Sequence, residues 1–239
     1  MVFRVAGGIS GGTPAFVAGY YGAFRYDYTT TITSNITQNQ TTIPVVSTNN
    51  FSSAGAIVID YEIITYTEIT ATSFTGCTRG AYSTNSSSHS SGSYVGGSQG
   101  TTSATVTLLQ VNATDFSSGV SLTALSELKI SNGGVYNIQF SAQTTNAGNA
   151  PDNFTIWLRK NGADLDSTAS IATTPSSHGG IPGAGIVAAN FFVSALTNDK
   201  FQFYWKTDSG NTVITTYPQS ISPTYPSSPA MVITVQQVA

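Results

Sequence analysis

Acid–base or metal chemistry in this chain would have to start from its two histidines. His89 and His178 stand in separate Gly/Ser-rich loops, and no H-x-H or H-E-x-x-H spacing occurs. A paired-imidazole metal site within one chain is therefore not set up, and a lone loop histidine is expected to be solvated. Paired carboxylates come next, because cleaving a polysaccharide needs two of them across the scissile bond. Asp164 and Asp166 share one face of a strand after the Asn161-Gly162 turn, and Asp60 and Glu62 flank another turn. Both pairs read as solvated hairpin charge. No G-x-S-x-G elbow supports a serine nucleophile, and Gly179-Gly180 lacks the following helix of a phosphate loop. The expectation is a protein that is not an enzyme, with no catalytic residue, no metal and no cofactor.

The aromatic residues offer binding instead. Trp205 shares its strand face with Phe201 and Phe203 and reads as core or subunit seam. Trp157 faces away from Phe154 and Ile156, beside Arg159. Tyr217 and Tyr225 lie in the Pro-rich loop 216–229, where a tyrosine either packs locally or stacks on a sugar. Trp157, Tyr217 and Tyr225 are thus the candidate receptor contacts. Near the N-terminus, Phe16, Tyr20, Tyr21, Phe24, Tyr26 and Tyr28 stand among glycines. They read as the anchors of an extended attachment arm that gains order on a partner.

Composition bounds the elements that must position these groups. The 239 residues include 66 Ser or Thr and 23 Gly, but only 8% are charged, with a formal net charge of −3. An ordinary soluble domain carries about 25% charged residues. Eight scattered Lys and Arg cannot form a phosphate-binding surface, so nucleic acid is excluded as a partner. Membrane insertion is not expected either: glycines and Pro14 interrupt the uncharged run between Arg4 and Arg25. Abundant Thr, Val, Ile, Tyr and Phe, with few helix formers, predict an all-β protein.

Along the chain, residues 1–28 form the predicted arm, and short strands over 29–95 form a small β-module. That module includes a hairpin about Asp60-Tyr61. The run from 85 to 102, rich in Ser, Gly and Asn, has a flexible-linker composition, and the Gly/Ser linker is placed at residues 96–104. Over 105–239 strict two-residue alternation recurs: Tyr136, Ile138, Phe140; then Phe154, Ile156, Leu158. Val187, Ala189, Phe191, Val193 follow, then Phe201, Phe203, Trp205, and finally Met231, Ile233, Val235. With the Asn161-Gly162 hairpin signal, eight or nine such strands predict a β-sandwich of jelly-roll type.

The blocks GVYNIQFSAQ (134–143), FTIWLRKNG (154–162), FQFYW (201–205) and PAMVITVQQV (229–238) resemble a C-terminal domain of tailed-bacteriophage virion proteins. Such domains are similar to the trimeric jelly rolls of tumour-necrosis-factor and complement globular heads. The segment from Thr42 through IDYEIITY (59–66) and FTGCTRG (74–80) to His89 resembles a small β-module of phage tail and fibre proteins. Cys77 stands where that module more often has Val. The resemblance implies a homotrimeric virion appendage, a tail fibre or a capsid decoration, held to other virion proteins. A host surface glycan is the partner implied by the alternative, an adhesion module for host attachment.

Overall fold

The computed structural model describes residues 19–124, 126–221 and 223–239. Among them the protein is all-β, with no helix. Two facing sheets make a sandwich from the C-terminal part of the chain, and a smaller β-module is attached to one of them.

The alternating segments become the sandwich because one face of each must leave water. Tyr136, Ile138, Phe140 and Ala142 point inward from the strand Gly134–Asn146, and Ile233 and Val235 from Met231–Gln237. They meet Phe154, Ile156 and Leu158 of Asp152–Lys160 and Phe201, Phe203 and Trp205 of Lys200–Thr207. Trp205 is fully buried and stacks on Phe154 with ring centroids 5.2 Å apart. Each such side chain contributes roughly 1.5–3 kcal/mol of burial. Asn161 and Gly162 both take positive φ, 52° and 86°, and fold Ala163–Asp164 back on Arg159 and Lys160. This is the tight turn that Asn-Gly predicts.

Two boundaries read from the sequence are corrected. The run taken as linker contains the strand Tyr94–Gln99, which lies buried inside the larger sheet. It pairs with Gly55–Ile59 of the module on one side and with Thr212–Thr215 of the sandwich on the other. One sheet thus runs through both parts. The glycines there serve close approach: a Cβ at Gly97 would lie 3.0 Å from both Tyr26 Cε1 and Tyr28 Cβ.

The arm is likewise shorter than residues 1–28. Tyr21–Tyr26 is a strand between Ala113–Ser118 and the C-terminal Met231–Gln237. Phe24 and Tyr26 are buried in the sandwich core, and Tyr20 packs against it. Tyr28 packs against both the sandwich core and the separate module core built on Ile57, Ile59, Ile64 and Phe74. Four of these rings are structural because the chain here alternates between two paired strands, so its aromatic face closes the sandwich. Tyr21 alone is exposed, edge-on to Phe116 at 6.0 Å. Phe16 lies outside the described residues.

Candidate functional site

Ionisable groups converge in the module, where the sequence predicted only solvated charge. Ile59 pairs with Glu62 across the turn Asp60-Tyr61, which aims the two acids toward the loop after Thr78–Ala81. Glu62 is 2% exposed and His89 4%, contrary to expectation. Arg79 grips Glu62 in a two-pronged ion pair, Nε to Oε1 and Nη2 to Oε2, each 2.8 Å. The backbone N–H groups of Gly80 and Ser87 also donate to Glu62, at 2.9 and 3.1 Å. His89 sits between Glu62 Oε2, 2.8 Å from Nε2, and Asp60 Oδ2, 2.7 Å from Nδ1.

Two carboxylate acceptors require both ring nitrogens to donate, which only the imidazolium does. Burial pulls the His89 pKa down, but hydrogen bonds to Glu62 and Asp60 outweigh it and the net direction is up. For Glu62, burial raises the pKa. His89, Arg79 and the two backbone donors more than offset this, and hold the carboxyl at about 2. Ser87 Oγ lies 3.5 Å from His89 Nε2. Ser87, His89 and Asp60 therefore line up as a hydrolase triad would. The alignment supplies no base, because Nε2 already serves Glu62 and the ring holds its proton. Its physical role is to tie residues 79–89 onto the hairpin. Sequence reasoning missed it because the partners are 17 to 29 residues apart and only the pairing of strands brings them together.

Asp164 is an exposed hairpin carboxylate, as expected, and accepts from Trp157 Nε1 and Arg159 Nε, both at 2.6 Å. Arg159 lies 3.8 Å over the Tyr204 ring. Trp157 is therefore a half-buried member of a polar cluster on the outer face of the second sheet. Tyr225 is 54% exposed in the small hairpin of Ser220–Ile221 and Thr224–Tyr225. Tyr217 is half-buried, bridged through its backbone to Ser228, and lines a cleft between module and sandwich. The three candidate contacts thus lie in three places. His178 is exposed, and among the described residues no three His, Cys, Asp or Glu side chains are grouped to hold a metal ion.

The cleft is the largest cavity described, about 730 Å³ at its mouth. Its walls are the Asp60-Tyr61 turn, residues 83–87, and the sandwich loops about Asn149, Gly179 and Asn211. Ser83 Oγ donates to Asn211 Oδ1 at 2.7 Å and so joins module to sandwich. At the bottom, a narrower hollow of about 30 Å³ is bordered by Val58, Ile63, Val213, Thr215 and Thr216.

No protein-family model matches this chain, and no curated protein matches it. Among solved structures, the Eiger TNF of S. frugiperda is similar, with a TM-score of 0.35 and 11% identity. The match covers 50% of this chain and 69% of that one. The sandwich is accordingly read from its own strand pairing rather than from this likeness.

Proposed function

We propose that this chain is a non-enzymatic structural protein of a tailed-phage virion, a homotrimeric appendage that projects its sandwich outward. The observation that carries the reading is a charge-free stretch, three strands wide, on the outer face of one sheet. On the outward side of Gly134–Asn146, Gly183–Ala195 and Met231–Gln237 stand Val135, Ser141, Ile186, Ala188, Phe192 and Val232, with only Ser, Thr, Asn and Gln among them. Ile186 and Phe192 are 68% and 67% exposed. The strand bearing them is 13 residues long and pairs only with Gly134–Asn146, so its other edge has no strand partner among the described residues. A long apolar edge of this kind is an aggregation hazard unless something covers it.

The opposite sheet differs. Its outer face carries Arg159, Lys206 and Asp164. A symmetric association that buries the first sheet and leaves the second in solvent accounts for both faces. The virion assignment itself is supported by the four C-terminal blocks and the Thr78-Arg79-Gly80…His89 segment.

Sedimentation of the purified chain tests the reading. A trimer is expected, and Ala188→Glu, which places charge on the covered face, is expected to release folded monomers. A wild-type monomer at micromolar concentration overturns it. The second reading, a glycan-binding adhesion module, is favoured by Tyr225, exposed at a hairpin, and by the tyrosine-lined cleft.

A further inference from the structure

We infer that the cleft between module and sandwich binds a neutral oligosaccharide carrying an N-acetyl group. This inference rests on the adhesion reading and not on the trimer, since every wall of the cleft comes from one chain. Three features of the cleft select the ligand class.

The first is charge. No Lys, Arg or His lines the cleft, while Asp60 and Glu62 do. Glu62 is consumed by Arg79 and His89. A phosphorylated or uronic-acid ligand would find no cation in the lining to pair with, so an uncharged one is selected.

The second is the lining. Tyr61 is 64% exposed at the tip of its turn, a ring free to stack on a sugar face. Asn85, Asn149 and Asn211 supply amides that both donate and accept, the chemistry that hydroxyl-rich ligands need. The mouth, about 730 Å³, falls within the roughly 300–1,000 Å³ range of small-ligand sites.

The third is the hollow beneath. Its 30 Å³ accepts roughly two water-sized groups. Val58, Ile63 and Val213 border it, which suits a methyl group. Thr215, on the same strand face as Val213, borders it too, almost wholly buried and with a hydroxyl that has no hydrogen-bond partner. Buried hydroxyls without partners are costly. An acetamido group answers both features at once: its methyl meets the valines and isoleucine, and its carbonyl accepts from the Thr215 hydroxyl. A plain hexose leaves that hydroxyl unpaired.

Titration calorimetry of the full chain with chitotriose, and with maltotriose as the sugar lacking acetyl groups, tests the inference. Saturable binding of chitotriose is expected, with maltotriose at least about tenfold weaker. Tyr61→Ala should weaken chitotriose by about tenfold or more, and Thr215→Val should narrow the preference for it over maltotriose. Tyr61 is exposed, so its replacement does not threaten folding. Absence of chitotriose binding, equal binding of the two sugars, or binding unchanged in Tyr61→Ala overturns the inference. Sedimentation of the same samples keeps the outcomes apart: loss of the trimer sinks the appendage reading without touching the cleft.

Discussion

Glu62 and His89 show how much one buried carboxylate can organise. Replacing Glu62 by Gln leaves Arg79 and the imidazolium of His89 facing a neutral amide in a buried place. Breaking a pair of this kind costs about 3–5 kcal/mol. Chemical denaturation should show that loss as a lowered midpoint of the single transition. The same network dictates a pH dependence. The His89 pKa is raised above its ordinary 6.5, so its stabilisation is complete below that value and fades as pH rises through the folded-state pKa. Glu62 is held at about 2, below its ordinary 4.5, so its stabilisation is complete above 4.5 and is lost as pH falls toward 2. Denaturation midpoints should therefore peak between pH 4.5 and 6.5, and His89→Gln should flatten the alkaline side. An unaltered alkaline limb in that variant would show that His89 is not held protonated. The sequence displayed Asp60, Glu62, Arg79 and His89 but not their meeting, because a turn tip and a serine-rich loop look solvated until strand pairing stacks them.

At the level of elements, glycine and aromatic residues proved ambiguous. Gly96 and Gly97 read as linker, yet they lie in a buried strand, where Val58 and the Thr216 carbonyl occupy the space a side chain would need at Gly96, and Tyr26 and Tyr28 that at Gly97. Gly97→Val is expected to destabilise the protein by about 1–3 kcal/mol through overpacking, measurable as a lowered denaturation midpoint. A substitution without effect there would return the segment to the flexible class. The aromatic run after residue 19 divides in a similar way. Removing residues 1–28 takes out the strand bearing Phe24 and Tyr26, and losing even one buried phenylalanine costs about 3–5 kcal/mol. That truncation should yield misfolded protein. Removing 1–18 spares every described strand and should leave a chain that folds with a denaturation midpoint close to that of the full chain. If those residues carry the attachment, this shorter truncation is also the one that abolishes incorporation into particles.

Over the whole molecule, continuity of one sheet outweighs the composition break at 85–102. Residues 85–88 are exposed, so a protease is expected to nick there, whereas Tyr94–Gln99 is shielded by strands on both sides. The nicked halves should co-elute and melt in one transition, because separating them means breaking ladders at Ile57↔Gly97 and Tyr21↔Ser118. Two separate transitions would restore the module and the sandwich as independent domains.

What the residues determined by themselves is local and periodic. Alternation at 136–142, 154–158, 201–205 and 231–235 dictates strands with one buried face, since side chains on a strand point to opposite sides in turn. Asn161-Gly162 dictates a tight turn, because both positions need positive φ. The scarcity of charge dictates that some face lacks it, though not which one. Tertiary structure alone decided which strands became neighbours: Tyr21–Tyr26 lies beside Met231–Gln237, and Tyr94–Gln99 beside Thr212–Thr215. Those pairings join positions more than a hundred residues apart, and nothing in either segment names its partner. The cleft exists only at such a junction, and the Glu62 network only where the strands of the module pair, so the groups with the most chemistry were the ones least legible before the chain was folded.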